Sequence, residues 1–400
     1  MGEKGKSYKK RVIKALYFHP QLSCAELSEI IHKSLPVTTK ILEELIAEGE
    51  VVEKGYAPST GGRRPAMYSL QSGFLYIVSV AMDQFITRIA ILDMHNQTVA
   101  GIEKFELPLA KNPEALFILT KKIGEVIEQS GVSKHHIAGV GIGKPGFVDG
   151  AKGVNYSFLP APGSITEYIS DTLQLPVYID NDSSLIALAE LRFGKARNKA
   201  NAMVINLGWG VGLGIITNGE LFRGHNGFAG EFSHIPLFTN GKMCSCGKRG
   251  CLETETSMLV VIEKAIKGLA EGQITALQDL SSLHYEASFD AIIQAASEGD
   301  QFAVSLLSET GYHIGRGIAI LITLMNPELV ILSGRGSAAR KIWLAPIQHA
   351  LNEHCIPRLF AHTHIDVSSL GYEAELTGAA ALVMENYTHQ PHEKTIEIAV

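Results

Sequence analysis

The chain has 400 residues, a length that predicts two or three domains. Hydrophobic residues make up 46% of it and charged residues 19%, which excludes a disordered chain, and the formal net charge is -6. The longest strongly apolar stretch, 318–325, is far shorter than the ~18 residues that a membrane span needs, and the charged first residues predict no signal peptide. Five cysteines are too few for a disulfide framework, so we expect a reducing compartment, the cytoplasm.

The net charge is unevenly distributed along the chain. Residues 1–70 contain eleven Lys and Arg and eight Glu, a local charge of +3, so the rest of the chain carries -9. A small basic end on an acidic body points weakly to nucleic acid. Ordinary scatter of surface charge explains these numbers equally well, so other features of the segment must decide.

The first seventy residues predict three short helices followed by a hairpin. A capping box, Ser23 with Glu26, opens the second helix, and Pro36 suits the first turn of the third. The expected helices cover 8–18, 23–31 and 35–48, and the expected strands cover 51–54 and 66–70. This order of elements is typical of a winged helix-turn-helix.

The same segment carries candidate DNA-binding residues. The third helix would present Val37, Thr39 and Lys40 at its exposed N-terminal end, where base edges and phosphates are reached. The loop between the strands carries Arg63 and Arg64 beside glycines, and arginines favour the negative potential of a narrow minor groove. We therefore predict that the segment binds double-stranded DNA. The alternative is a helical dimerisation module with a solvated basic loop.

From Phe74 onward the pattern alternates strands with helices, and the opening pair of strands recurs. Strands are expected over 75–81, 86–92, 137–142, 177–179, 202–206, 212–216 and 329–332, and helices over 113–129 and 183–193. Asn218 and Gly219 form a hairpin turn, and helices dominate after 257. These features predict a duplicated α/β body with a cleft between two lobes.

Four motifs in the body resemble those of the ROK family, which comprises repressors, open reading frames and sugar kinases. They are Gly141-Ile-Gly-Lys-Pro-Gly-Phe-Val-Asp149, Asn181-Asp182, Gly230-Glu-Phe-Ser-His234 and Cys244-Ser-Cys-Gly-Lys-Arg-Gly-Cys-Leu-Glu253. The last two, in this order, are highly specific, and the resemblance covers nearly the whole chain. It implies a two-lobed, ribonuclease-H-like body of the sugar kinase–actin type behind the winged helix-turn-helix.

The resemblance also implies a domain division and an assembly. It implies a winged helix-turn-helix over 1–72, a first α/β lobe over 73–180 and a second over 181–389 that contains the zinc loop. The last helix, about 375–387, is expected to return to the first lobe, and the tail over 390–400 is expected to be weakly ordered. Family members with a winged helix resemble sugar-responsive repressors, and a homodimer or homotetramer is implied.

A metal site is predicted from one imidazole and three thiolates. The four candidate ligands are His234, Cys244, Cys246 and Cys251. This set fills a tetrahedral zinc shell with no open position, which is typical of a structural site, and the resemblance implies zinc on the same residues. Reduced cysteines without a ligand are the alternative, but three thiols beside glycines in a polar loop make a poor core. We expect the zinc to fix the loop that carries Glu253.

A sugar site is implied by the resemblance. The residues that match the family's sugar-contacting positions are Asn181, Asp182, Glu231, His234 and Glu253. His234 could serve twice, with one nitrogen on zinc and the other toward a hydroxyl. In the kinases, the residue that matches Asp182 is the general base. The alternative is that these residues are helix caps and surface carboxylates; Asp182 could cap the helix expected from 183.

The phosphate-binding motifs depart from those of the kinases. Their opening Asp-x-Gly-Gly-Thr turn is replaced by Ala81-Met-Asp-Gln-Phe85, in which both glycines are lost. A second glycine loop, 208–212, has Trp209 where a Thr or Ser is expected, and 332–336 is only partly like the family's double glycine. Phosphoryl transfer needs backbone amides close to the phosphates. The sequence therefore argues against ATP hydrolysis, and we interpret Asp182 as a sugar ligand unless the protein is a kinase.

Together these features predict a transcriptional regulator, a repressor, that binds operator DNA and senses a hexose, an amino sugar or a derivative such as a sugar phosphate. Two alternatives stay open. The first is an active ATP-dependent sugar kinase with a DNA-binding appendage, which the stretch 81–85 argues against. The second is an interaction protein that only dimerises, which Glu231, His234 and Glu253 argue against.

Overall fold

A computed structural model of the chain describes residues 3–58, 64–158 and 163–387. The described residues form two units. The first unit comprises the residues up to 143, 150–180 and those from 379, and the second comprises 144–149 and 181–378. Among the helices of the described residues, none is long and apolar enough to cross a lipid bilayer.

The N-terminal segment contains the helices and the hairpin of a winged helix-turn-helix, as predicted. Its elements are α1 (Glu3–Phe18), β1 (Leu22–Ser23), α2 (Cys24–Ile31), α3 (Leu35–Ala47), β2 (Val51–Tyr56) and β3 (Ala66–Leu70). The capping box is present, because Ser23 and Glu26 each accept a hydrogen bond from the other's backbone amide. The strands are antiparallel in the order β1-β3-β2. Strand β1 is not predicted, since two residues show no periodicity.

The first large sheet begins with three antiparallel strands. The elements after β3 are β4 (Tyr76–Met82), β5 (Ile86–Asp93), β6 (Thr98–Glu106), α4 (Ala115–Ser130), β7 (Ile137–Lys144), β8 (Val148–Asp149), β9 (Val154–Asn155), α5 (Ile165–Leu173) and β10 (Val177–Asn181). The sheet order is β10-β7-β4-β5-β6, with β4, β5 and β6 antiparallel and β7 parallel to β4. Strands β4, β5 and β7 are buried along nearly their whole length, which is why their apolar runs predict them.

The second large sheet repeats this arrangement within the second unit. The remaining elements are α6 (Asp182–Arg192), β11 (Ala202–Leu207), β12 (Val211–Thr217), β13 (Glu220–Phe222), α7 (Glu253–Thr256), α8 (Met258–Ala270), α9 (Tyr285–Ser297), α10 (Gln301–Met325), β14 (Leu329–Ser333), α11 (Leu344–His354), α12 (Pro357–Phe360), β15 (His364–Val367) and α13 (Ala374–Asn386). The sheet order is β13-β12-β11-β14-β15, with three antiparallel strands and then two parallel ones. The same order in both sheets confirms the predicted duplication of the α/β body.

Helix α13 packs closely on an element of each unit in turn. A Cβ atom at Gly378 would lie 2.0 Å from the carbonyl oxygen of Leu185 in α6, and a Cβ atom at Gly141 would lie 2.0 Å from the carbonyl oxygen of Ala379. Only glycine allows such approaches of one backbone to another. The helix therefore begins against α6 in the second unit and continues against β7 in the first.

Candidate functional site

Three of the four predicted metal ligands, Cys244, Cys246 and Cys251, lie on a loop that hydrogen bonds of its own backbone fold into a tight turn, and His234 ends a short 3-10 helix before it. The amide of Cys244 donates to the carbonyl of Lys248 at 2.8 Å, and the amide of Gly247 donates to the carbonyl of Cys244 at 3.0 Å. Gly250 has φ +75°, and a Cβ atom there would lie 1.9 Å from the carbonyl oxygen of Phe238. Glycine is required at this position, and the turn places the thiols on one side of the loop.

The four donor atoms of His234, Cys244, Cys246 and Cys251 lie within 4.8 Å of one another. Sγ of Cys246 is 3.6 Å from Sγ of Cys251, and Sγ of Cys244 is 3.5 Å from Nδ1 of His234. Zinc bonds of ~2.3 Å to sulfur and ~2.0 Å to nitrogen give tetrahedral edges of about 3.5–3.8 Å. The donor set therefore fits a metal ion of this size and geometry, and the predicted cluster is confirmed as a group that could hold one.

The thiols of the cluster influence one another's protonation. Burial raises the pKa of Cys251, and the neighbouring thiols of Cys246 and Cys244 raise it further. A hydrogen bond from the backbone amide of Lys248 lowers the pKa of Cys246. A coordinated thiol is deprotonated, so a divalent cation would reverse the effect at Cys251. The chemistry of this donor set therefore favours a cation.

His234 connects the thiol cluster to a carboxylate. Its Nδ1 faces Cys244, while its Nε2 lies 3.6 Å from Oε2 of Glu231. With a metal ion on Nδ1, Nε2 must carry the proton and can only donate. The geometry supports the predicted double use of His234, with Nε2 available to Glu231 or to a ligand hydroxyl on that side.

Three carboxylates, those of Glu231, Asp182 and Glu253, lie close to one another at the edge of the thiol cluster. Glu253 begins α7, and its Oε2 lies 3.8 Å from Sγ of Cys244. Its Oε1 reaches the glycine loop, because a Cβ atom at Gly210 would lie 2.6 Å from it. Burial raises the pKa of Glu231, and the charges of Asp182 and Glu253 raise it further. The three carboxylates therefore lie close enough to interact, as a site that grips neighbouring hydroxyls requires.

Asp182 is held in a fixed orientation at the start of α6. Nδ2 of Asn206 donates to its Oδ2 at 3.3 Å, and the amide of Ser183 donates to its Oδ1 at 2.8 Å. Asn206 is not among the predicted site residues. A signal for it exists, because it is a polar residue near the carboxyl end of a buried strand, where α/β sheets place ligand-binding groups.

Asn181, and not Asp182, caps helix α6. Its Oδ1 accepts from the amides of Ser183 at 2.9 Å and Ser184 at 3.2 Å. Its Nδ2 donates to the carbonyl oxygen of Gly146 at 3.1 Å. The capping position that the alternative assigns to Asp182 thus belongs to Asn181, itself a candidate sugar residue, and the side chain of Asn181 ties the Gly146 loop to the helix that carries Asp182.

The predicted DNA-binding residues divide between described and undescribed parts of the chain. Val37, Thr39 and Lys40 are exposed on the first turns of α3, and Arg64 is exposed just before β3. Arg63 lies outside the described residues. The N-terminal end of α3 thus presents an apolar, a hydroxyl and a cationic side chain to solvent, which is the combination that base edges and phosphates accept.

The turn between β4 and β5 is closed by its own carboxylate. Oδ1 of Asp83 accepts from the amide of Phe85 at 2.8 Å and from the amide of Ile86 at 2.7 Å. The amide of Asp83 in turn donates to the carbonyl of Ile86 at 2.9 Å. Adjacent amides of this kind form the nests that bind phosphate in other proteins. Here the side chain of Asp83 takes the place that such an anion would need.

The chain belongs to the ROK family, whose profile matches residues 81–386, so the predicted resemblance is confirmed. The xylose repressor of Caldicellulosiruptor bescii is 29% identical over 389 residues, which are 95% of this chain and 96% of that protein. The glucokinase of Halalkalibacterium halodurans is 32% identical over 301 residues, 72% of this chain and 90% of that protein.

A solved structure confirms the predicted fold class. The crystal structure of a ROK family transcriptional regulator, a homologue of the E. coli MLC protein, matches with a TM-score of 0.77. The match has 24% sequence identity and covers 97% of both chains. The winged helix-turn-helix and the duplicated α/β body thus occur together in a protein of known structure.

Proposed function

We propose that this protein is a sugar-responsive transcriptional repressor whose N-terminal segment binds operator DNA. Two features of the chain, taken together, carry the proposal. The first turns of α3 are exposed. In the body that resembles the kinases, Asp83 closes the turn between β4 and β5, where the kinases bind phosphate. The similarity to a xylose repressor extends over 95% of this chain, the N-terminal segment included, and supports the same reading. The chain then uses a kinase-derived body to sense a ligand.

The ligand is a hexose, an amino sugar or a derivative, held by the carboxylates of the second unit. Glu231 and Asp182 accept from hydroxyls, Glu253 closes the same site beside Gly210, and Nε2 of His234 donates. Asn181 would add a contact through its carboxamide, in addition to its cap. The positions of these side chains near His234 support the proposed roles.

Zinc is the metal that we propose for the cluster, bound by His234, Cys244, Cys246 and Cys251. Bound there, it would supply a fixed tetrahedral geometry and no reactive position. Its loop leads directly into α7, so the four ligands would position Glu253, and the metal-bound imidazole would orient toward Glu231.

The proposal includes a division of the chain and an assembly. We retain a winged helix-turn-helix over 1–72, α/β lobes over 73–180 and 181–389, and a homodimer or homotetramer. A dimer reads two half-sites about one helical turn apart, or a multiple of it, so an operator with two-fold symmetry is expected.

DNA binding tests the first half of the proposal. Arg63→Ala with Arg64→Ala should weaken binding to an operator selected from random sequences and lower its salt dependence, by about 0.9 in slope for each lost phosphate contact. Arg197→Ala, at an exposed arginine of the body, is the matched control and should bind like the parent. An unchanged gel-shift titration for the double variant would show that the wing is only a solvated loop.

The competing proposal is an active sugar kinase, and the 32% identity to a glucokinase is the observation that favours it. A coupled ATPase assay over a panel of sugars separates the two. We expect no turnover, because Asp83 occupies the first turn and Trp209 stands in the second. Sugar-dependent ADP release that Asp182→Asn abolishes would establish the kinase instead.

A further inference from the structure

Three neighbouring strands of the second sheet end at one edge. Strands β11 and β14 are parallel, as are β14 and β15, so their carboxyl ends meet on the same side. Open α/β sheets bind nucleotides and other small ligands at this edge, where glycines let the backbone approach closely. Glycines are present here, at 208, 210 and 212 after β11 and at 334 and 336 after β14.

Side chains of this chain fill the edge. The guanidinium of Arg335 lies over the ring of Trp209, 5.0 Å from its centroid, and over the ring of Tyr372, 3.8 Å from its centroid. The ring of Trp209 also packs against that of Tyr285, with centroids 6.0 Å apart. Arg335 forms an ion pair with Glu286, whose carboxylate also accepts from the hydroxyl of Tyr372 at 3.5 Å. We call these five residues the Arg335 stack.

The Arg335 stack joins the three strand ends at the edge to helix α9. Trp209 follows β11, Arg335 follows β14 and Tyr372 follows β15, while Tyr285 and Glu286 are the first residues of α9. Only 5% of Trp209 and 11% of the Arg335 side chain are exposed. The planar guanidinium of Arg335 packs on two aromatic rings, as a nucleobase does in a binding site, and the carboxylate of Glu286 balances its charge.

We propose that the Arg335 stack takes the position of a purine nucleoside at this edge and excludes it from the second unit. The indole of Trp209 fills the space that the glycine loop would otherwise offer to phosphates. The guanidinium of Arg335 fills the space beside Gly334 and Gly336 that a nucleoside would need. This inference goes beyond the proposed function, because it rests on neither DNA binding nor sugar binding.

Removing the stack should open the edge to a nucleoside. The test variant is Arg335→Ala with Trp209→Ala, and the probes are adenosine and ADP, titrated by calorimetry. The matched control is Arg316→Ala, whose guanidinium lies 5.3 Å from the centroid of the Phe238 ring in the same unit. We expect the parent and the control to bind neither probe up to about 1 mM, and the double variant to bind adenosine at least about tenfold more tightly than the parent.

Two results would overturn the proposal. One is a folded double variant that gains no affinity for adenosine, since the stack would then be ordinary packing. The other is a parent that binds adenosine or ADP as tightly as the variant does. Circular dichroism and bound metal content establish that each variant is folded, and Arg335→Ala alone decides the question if the double variant is not. Neither readout involves operator DNA or sugar, so failure here and failure of the proposed function are separate results.

Discussion

Cys246 is the most exposed donor of the thiol cluster, and its substitution tests the metal with the least disturbance of the core. We expect one zinc ion per parent chain by elemental analysis and a large loss of zinc from Cys246→Ser, because a serine hydroxyl does not replace a thiolate. Cys24→Ser, at a cysteine outside the cluster, should keep its zinc. Equal zinc in Cys246→Ser and the parent, or none in a parent purified without chelators, would contradict the prediction.

Lys144, at the end of β7, has no exposed surface, and burial lowers its pKa to about 7 from the 10.5 of an ordinary lysine. Between these values the unfolded chain binds a proton that the folded chain does not, so this residue makes stability rise with pH. The rise is up to ~1.4 kcal/mol per pH unit. The contribution is lowest below about pH 7, where a charge must be buried.

Lys144→Met should therefore remove a pH dependence while it keeps the volume of the side chain. The free energies of unfolding of the variant at about pH 7 and about pH 9 should be closer to each other than those of the parent. At about pH 7 the variant should be more stable than the parent, because it buries no charge there. Lys121→Met, at an exposed lysine of α4, should follow the parent at both. Parallel pH dependences in the parent and Lys144→Met would show that Lys144 stays charged in the folded protein.

Some site residues can be predicted from the sequence because their signal is local. The four metal donors lie within 234–251, so the chain alone brings them near one another, and the turn glycines mark the loop. Asn206 acts on Asp182, which only the tertiary structure brings close to it. Asp83 acts within one turn whose conformation the sequence does not predict. Their residue types suit many surface positions, so their roles appear only in the structure.

At the scale of elements, the sequence predicts the buried strands of the two large sheets and misses their exposed ones. Strand β6 (Thr98–Glu106) is exposed along nearly its whole length, so its residues show no alternation of apolar and polar positions. Strand β15 (His364–Val367) is short and partly exposed. Helix α5 has a signal that could have found it, a Ser164 cap followed by Ile165, Ile169 and Leu173 at helical spacing.

The winged helix-turn-helix contacts the C-terminal helix through side chains. Nζ of Lys14 in α1 lies 2.8 Å from Oε2 of Glu385 in α13 and donates to its carbonyl at 2.7 Å. The ammonium of Lys10 lies 5.4 Å from the centroid of the Tyr387 ring, and the buried hydroxyl of Tyr17 donates to the side chain of Asn96. These contacts lie within the first unit and hold α1 on its body.

Breaking the contact of Lys14 should loosen the winged helix-turn-helix without unfolding it. Lys14→Ala removes an ion pair between the segment and α13, whereas Lys9→Ala removes two ion pairs inside the segment, with Glu44 and Glu48. We expect both to lower stability by roughly 0.5–1 kcal/mol. Only Lys14→Ala should speed amide hydrogen exchange in the last turns of α13. Equal exchange in the two variants would mean that the Lys14 pair does not hold α1 to α13.

At the scale of the whole molecule, α13 belongs to both units. It starts against α6, the helix that begins with Asp182, and it ends beside Lys14 of α1. Asp182 begins α6 and Lys14 lies in α1, and each of these helices contacts α13 within its own unit. Any coupling between a ligand of Asp182 and DNA depends on how differently each of them binds the two states of the protein.

The last prediction concerns that coupling. If a sugar changes operator affinity by about 5- to 150-fold, the coupling free energy is roughly 1–3 kcal/mol, and operator DNA must change sugar affinity by the same factor. A thermal-shift screen of monosaccharides, amino sugars and their phosphates should identify the sugar. Calorimetric titration of that sugar, with and without operator, then measures the effect of operator DNA on sugar affinity.

Glu231→Gln keeps the shape of the side chain and removes its charge, so it should bind operator like the parent and lose most of its response to sugar. Glu220→Gln, at an exposed glutamate of β13, is the control and should respond like the parent. The sign of the coupling distinguishes a sugar that releases DNA from one that promotes binding. Equal sugar affinity with and without operator would mean that the two sites are uncoupled, since reciprocity admits no exception at equilibrium. The winged helix would then respond to a signal other than the ligand of Glu231.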